Sequence, residues 1–216
     1  MVIIKFNIRN IKYMILLINN STDGNRLSFI VQVRHTLRSL SIPFIETKRV
    51  DYDLLMKMKK KIKGVILSGS PMMLQKDTIS QYNYDIFYML YLDVPILGIC
   101  FGSQLLTIIN GGTLKPINRF ICDPLPTKIE KNCFLFDNVQ VNDKNEMYLK
   151  FCFSGLPVKP RRKTAETLAS IMVNGKRAPI AFQYSDKVFC ILGHPEIEAG
   201  THIIYKNFYE FCKKHS

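Results

Sequence analysis

The residues Gly98-Ile99-Cys100-Phe101-Gly102 set a cysteine between two glycines, at the point where an apolar run gives way to a helical pattern. A strand-to-helix turn that sharp holds its central residue in a strained conformation, and small neighbours two positions either side avoid collision. The thiol is then presented at the carboxyl edge of a sheet, where open α/β proteins place their ligands. It also sits at a helix N-terminus, whose partial positive charge favours a thiolate. A free cysteine is ordinarily a small buried hydrophobe, and Cys122, Cys133, Cys152, Cys190 and Cys212 are read that way. The paired glycines and the strand-to-helix context set Cys100 apart as a nucleophile.

A thiol nucleophile needs a base, and the chain has four histidines. His35 falls within a helical pattern, His202 within or just before the last helix, and His215 in a C-terminus expected to fray. His194 follows the apolar run Val188 to Leu192 through Gly193 and precedes Pro195 and Glu196. A histidine in that strand-end turn can face Cys100 across the top of the sheet. Glu196, two residues on, can accept a hydrogen bond from the imidazole and fix its tautomer. Alone, Gly193-His194-Pro195-Glu196 reads as an ordinary exposed turn. With the cysteine elbow it completes nucleophile, base and orienter for acyl transfer through a covalent intermediate.

Such a trio requires strands that end side by side. Met14 to Ile18 (MILLI) is a fully apolar run closed by Asn19, Asn20, Ser21 and Asp23, as expected of a strand buried on both faces of a parallel sheet. Leu27 to Leu40 carries apolar residues at helical spacing and is expected to stop at Pro43. Ile42 to Thr47 reads as a strand, Asp51 to Lys61 as a helix, and Gly64 to Gly69 as a strand running into a glycine turn. A helix from about Tyr82 to Leu92, a strand Pro95 to Ile99 and a helix Ser103 to Asn110 closed by Gly111-Gly112 continue the alternation. Repeated strand-helix units imply an α/β fold, a largely parallel central sheet with helices on both faces. Beyond Gly112 the runs Cys133 to Phe136, Tyr148 to Phe153 and Ala178 to Tyr184, parted by Pro- and Lys-rich turns, predict mixed or antiparallel additions. Thr201 to Lys213 predicts a final helix. With no repeat or linker, 1–216 reads as a single domain.

The 47% apolar fraction over 216 residues argues against disorder. No apolar stretch near the N-terminus approaches the ~20 residues of a membrane span. Lys5, Arg9 and Lys12 interrupt residues 1–13, which read as an extra strand or an extension ahead of Met14 rather than a secretory signal. Six scattered cysteines without a C-x-x-C pair argue against zinc and against a disulfide framework, and point to a reducing cytoplasm. The formal charge of +13 is read as a well-solvated, lysine-rich surface, with Lys57 to Lys63 a polar helix end. No nucleic-acid module accompanies it, so neither nucleic acid nor membrane is expected as a partner.

On Pro95 to Leu105 (PILGICFGSQL) and Leu192 to Glu196 (LGHPE), the chain resembles the class I (triad) glutamine amidotransferases. Met14 to Asn20, Gly64 to Pro71 (GVILSGSP) and Gly111-Gly112 extend the resemblance over most of the chain. It implies that Cys100, His194 and Glu196 hydrolyse glutamine to glutamate and ammonia through a γ-glutamyl thioester. It further implies that Gln104 helps hold the substrate's amino-acid end, and that backbone amides at Gly69-Ser70 and Phe101 form the oxyanion hole. No metal or organic cofactor is implied. Ser68-Gly69-Ser70-Pro71 stands where many members have two glycines before the proline, so Ser70 is expected to restrict the rearrangement that builds the hole. Ser103 replaces a larger residue, residues 113–160 match poorly, and Ser154-Gly155 is a candidate substrate-binding turn.

In that family the ammonia is usually delivered to a synthetase. The chain has no G-x-x-x-x-G-K-[ST] loop and no room for an acceptor domain. The leading reading is a separate glutaminase subunit resembling that of GMP synthase, in purine biosynthesis, with an ATP-dependent synthetase on another chain. A stand-alone hydrolase of γ-glutamyl compounds, to which Ser-Gly-Ser bears some likeness, is the alternative. A third is a silent regulatory or binding protein, against which retention of all three residues counts.

Overall fold

Five consecutive apolar residues leave no face of a strand for water, and Met14–Ile18 (β1) is buried along its whole length. The computed structural model describes residues 11–21, 29–48, 51–71, 74, 91–159 and 165–215. After β1 come Phe29–Ser39 (α1), Phe44–Thr47 (β2), Tyr52–Met58 (α2), Ile62–Leu67 (β3), Ile96–Ile99 (β4) and Phe101–Ile109 (α3). The second half supplies Thr113–Ile121 (β5), Pro124–Ile129 (β6), Glu146–Lys150 (β7), Phe153–Val158 (β8), Glu166–Val173 (β9), Lys176–Ser185 (β10), Val188–Ile191 (β11) and Ile203–His215 (α4).

Nine strands form one sheet in the order β2-β1-β3-β4-β11-β10-β9-β6-β7, while β5 and β8 pair separately. From β2 to β11 every pairing is parallel, and from β11 to β7 every pairing is antiparallel. Side chains alternate across the parallel half. Ile15 and Leu17 of β1 join Val33 and Leu37 of α1 and Ile204 and Phe208 of α4 in one core. Met14, Leu16 and Ile18 join Leu55 of α2 and Phe101 and Leu105 of α3 in the other. The expected α/β sheet with helices on both faces and antiparallel additions toward the C-terminus is the fold observed.

Local expectations needed correction. α1 ends at Ser39, ahead of Pro43, because Ser41 turns left-handed at φ 53° and the Ser41 and Ile42 N–H groups return to the Arg38 and Leu37 carbonyls, each at 2.9 Å. The run Cys133 to Phe136 is not a strand: Phe134–Phe136 is a 3-10 turn whose Leu135 and Phe136 are buried, and α4's Asn207 donates to the Leu135 carbonyl. A short apolar run does not by itself distinguish a strand from a turn packed under a helix. Tyr148 to Phe153 is divided between β7 and β8. His215 is not frayed, since α4 extends to it and its ring stacks on Phe211. The helix expected from Tyr82 lies outside the described residues except for Tyr91 and Leu92, which are helical. Lys57 to Lys63 spans the end of α2 and the start of β3.

Candidate active site

Cys100 stands between β4 and α3 with φ 50° and ψ −105°, a backbone state costly to any L-residue. The turn is held from two sides. The Cys100 N–H donates to the Ile191 carbonyl at the end of β11 (2.9 Å), and its own carbonyl accepts the Gln104 N–H (3.0 Å) as α3 begins. The flanking glycines are required by contact: a Cβ at 98 would lie 2.6 Å from the Gly102 carbonyl oxygen, and one at 102 would lie 2.6 Å from the Leu67 Cβ of β3. α3 therefore starts at Phe101, two residues earlier than the sequence pattern suggests, and the candidate nucleophile sits directly at its N-terminus.

β11 lies beside β4 in parallel register, Ile191 opposite Ile99, so the two strand ends emerge together. Three residues past β11, His194 is fully buried, its N–H bonded to the Lys150 carbonyl of β7 (2.8 Å) and its ring stacked on Phe29 at 3.9 Å. His194 Nδ1 and Glu196 Oε1 are 2.8 Å apart. The other carboxylate oxygen of Glu196 accepts the Tyr205 hydroxyl (2.9 Å), so a buried carboxylate has a donor on each oxygen. With Nδ1 engaged, His194 Nε2 remains buried without a hydrogen-bond partner among the described residues. Burial opposes a charge on this imidazole, yet its pKa is raised to about 10, because negative charge on Cys100 and Glu196 and the Glu196 hydrogen bond outweigh burial.

Cys100 and His194 line one pocket of about 370 Å³, at the small end of the ~300–1,000 Å³ usual for small-molecule sites. Of the residues expected on the substrate side, Ser70, Phe101 and Gln104 line it too. Gly69 lies behind them, where an added Cβ would be 3.0 Å from His194 Cε1 and 3.4 Å from Cys100 Cβ. Ser70 avoids the left-handed region, and the Gly69 carbonyl of its peptide accepts the Ser68 hydroxyl at 3.0 Å. Gln104 Nε2 donates to the Gly155 carbonyl (3.1 Å), so Ser154-Gly155 does meet the elbow's glutamine. Cys100, His194, Glu196, Gly69, Ser70, Phe101 and Gln104 are thus brought together.

Other participants escaped the sequence reading. Phe29 and Tyr205 looked like ordinary core aromatics, and no spacing links them to His194 or Glu196. The Cys152 carbonyl, which receives the Cys100 thiol at 3.6 Å, is a backbone group that no side-chain pattern announces. Among the described residues no group of three His, Cys, Asp or Glu could hold a metal ion, and no helix is long and apolar enough to cross a membrane.

A cysteine elbow at the carboxyl end of a parallel sheet, faced by a carboxylate-held histidine on the neighbouring strand end, defines a thiol-dependent acyl-transfer fold. Residues 24–211 match the model for glutamine amidotransferase class-I, and the chain belongs to that family. It is 30% identical over 215 residues to a glutamine-hydrolyzing GMP synthase subunit of Methanobrevibacter smithii, across 93% of this chain and 96% of that one. It is 32% identical over 160 residues to the GMP synthase of Prochlorococcus marinus, across 70% of this chain but 28% of that longer protein. A solved GMP synthase subunit from Thermoplasma acidophilum shares the fold, with a TM-score of 0.76 over 94% of this chain and 95% of that one at 17% identity.

Proposed function

We propose that this chain is a single cytoplasmic domain that hydrolyses L-glutamine and passes the ammonia to an ATP-dependent synthetase on a separate chain, as the glutaminase subunit of a GMP synthase-like pair. The observation that carries the reading is the His194 imidazole. Its Nδ1 is committed to Glu196, and its buried Nε2 has no described partner and borders the pocket that holds the Cys100 thiol. Near-complete coverage of a relative named as one subunit of a GMP synthase supports the two-chain arrangement.

In this mechanism the Cys100 S–H turns from the Cys152 carbonyl to His194 Nε2 and gives up its proton. The thiolate adds to the side-chain amide carbon of glutamine. The resulting oxyanion is met by the Phe101 and Ser70 N–H groups, each such donor being worth ~3 kcal/mol of barrier. Imidazolium at His194 protonates the departing nitrogen, the C–N bond breaks, and ammonia leaves a γ-glutamyl thioester on Cys100. His194 then takes a proton from water, which attacks the thioester and releases glutamate. Gln104, held by the Gly155 carbonyl, orients the amino-acid end of the substrate.

A second reading has one observation in its favour: Leu74, Leu114, Pro116 and Phe120 give the pocket a largely apolar wall, suited to the leaving group of a γ-glutamyl compound. The test is ammonia and glutamate release from glutamine, with and without a GMP synthetase chain, beside a panel of γ-glutamyl peptides. Partner-stimulated ammonia release is expected, and peptide cleavage by the isolated chain would favour the second reading. Cys100→Ser is expected to abolish turnover with the fold intact, and a glutamine-analogue alkylator to label Cys100 alone. Retained turnover in that variant would remove Cys100 from its role.

A further inference from the structure

Cys122 and Cys152 line the same pocket as Cys100, and the fold sets the two face to face. The ladder of β5 and β8 reaches the pair Ile121 and Phe153, and that of β6 and β7 starts at Pro124 and Lys150. The two antiparallel ladders share one register, and between them the Phe151 N–H donates to the Asp123 carbonyl at 2.9 Å. One step forward on one strand is one step back on the other, so Cys122 lies directly opposite Cys152. Since 123 and 151 are hydrogen-bonded, the cysteines occupy the adjacent non-hydrogen-bonded position, where Cα atoms are ~4.5 Å apart and side chains approach most closely. A disulfide spans Cα separations of ~4.4–6.8 Å. Both residues are free thiols here, Cys122 exposed and Cys152 half-buried.

We propose that Cys122 and Cys152 are a redox-active dithiol in the pocket wall, which closes to a disulfide by exchange with a low-molecular-weight disulfide such as that of glutathione. Exposed Cys122 reacts first: its thiolate attacks one sulfur of the small disulfide, breaks that S–S bond and releases one small thiolate. Cys152 follows, because burial and the neighbouring Cys122 push its thiol up to about 12. Once Cys122 is capped and uncharged, Cys152 loses its proton to water, attacks the Cys122 sulfur and displaces the second small thiolate. The protein dithiol loses two electrons and two protons, and the small disulfide is reduced to two thiols.

The consequence reaches Cys100 through the backbone. The Cys152 carbonyl accepts the Cys100 thiol, and Gly155, three residues on, accepts Gln104. Fastening this segment to the end of β5 holds the carbonyl in place and favours the Cys100 rotamer turned away from His194. The oxidised protein therefore reacts more slowly at Cys100.

The test uses the full chain in glutathione buffers of rising potential, followed by intact mass and non-reducing peptide mapping. The expected product is lighter by two hydrogens and links Cys122 to Cys152. Cys152→Ser is expected to stop as a stable glutathione adduct on Cys122, and Cys122→Ser to give no linked peptide. No mass change, a linkage involving Cys100, or a persistent Cys122 adduct in the unsubstituted protein would overturn the dithiol. Chloroacetamide labelling of Cys100 is expected to slow on oxidation, and an unchanged or faster rate would overturn the coupling. Neither readout involves glutamine, so both stand apart from the proposed activity.

Discussion

Gly69→Ala tests whether the imidazole is as tightly held as the geometry requires. Gly69 is not in the left-handed region, so alanine brings no backbone strain, and the whole effect comes from one added carbon. That carbon would lie 3.0 Å from His194 Cε1, a few tenths of an ångström too close. The ring has little freedom to retreat, being stacked on Phe29, bonded to Glu196 and anchored through its N–H to Lys150. Overpacking of this kind costs ~1–3 kcal/mol. If the imidazole cannot yield, that cost falls on the aligned geometry, and at tenfold per ~1.4 kcal/mol the turnover rate drops by about 10- to 100-fold. The assay is glutamate release at saturating glutamine, alongside thermal unfolding, where a loss of ~2–10 °C is expected. A contrasting site is Gly155, where an added Cβ meets nothing nearer than 3.9 Å, so Gly155→Ala is expected to unfold within ~2 °C of the parent. Turnover in Gly69→Ala within twofold of the parent would refute the claim that His194 is clamped.

Tyr205→Phe removes a donor from a fully buried carboxylate and is expected to cost ~1–3 kcal/mol in denaturant unfolding, with no measurable loss if water replaces the hydroxyl. Because the folded-state pKa of His194 lies above its ordinary value of 6.5, its protonation contributes stability that is complete below about pH 6.5 and is lost as pH rises through about 10. The denaturation midpoint should fall across that window, and Cys100→Ala, which deletes an anionic partner, should flatten the fall. An identical pH profile in the variant would show that Cys100 does not sustain the imidazolium. Ser70→Gly is expected to raise glutamine hydrolysis by ~5-fold if the Gly69-Ser70 peptide must rotate to aim its N–H at the oxyanion. An unchanged rate would mean that the conformation seen at Ser70 is already the competent one.

Much of the parallel half was legible because its signals are local. MILLI marks β1 residue for residue, and the two glycines around Cys100 announce a turn that later proves to be enforced by contacts with Gly102 and Leu67. The pairing of His194 with Glu196 was legible for the same reason, both residues lying within one strand-end turn. What was not legible depends on residues far apart in sequence. Tyr205 reaches Glu196 only because α4 packs beside β1, and Phe29 meets His194 only because α1 packs on the same face. The antiparallel strands were blurred because their faces are unequally buried: β5 is mostly exposed and β7 alternates, so the continuous run Tyr148 to Phe153 hid the break between β7 and β8. Cys122 and Cys152 were read as inert for a related reason, since only the shared register of two ladders shows that they are opposite one another.

The central position of β11 governs how the molecule can be made. β4 is an apolar strand flanked by β3, translated before it, and by β11, which emerges only after nearly half the chain has intervened. Until then one edge of β4 has open N–H and C=O groups, the kind of edge that recruits strands from other molecules. Insertion of β11 closes that edge and, in the same event, delivers the Ile191 carbonyl to Cys100 and brings His194 into place. Such distant pairing is slow. A nascent chain on the ribosome therefore carries its thiol for many seconds before it has a base, and a late-folding sheet centre makes this protein dependent on whatever shields β4 during synthesis.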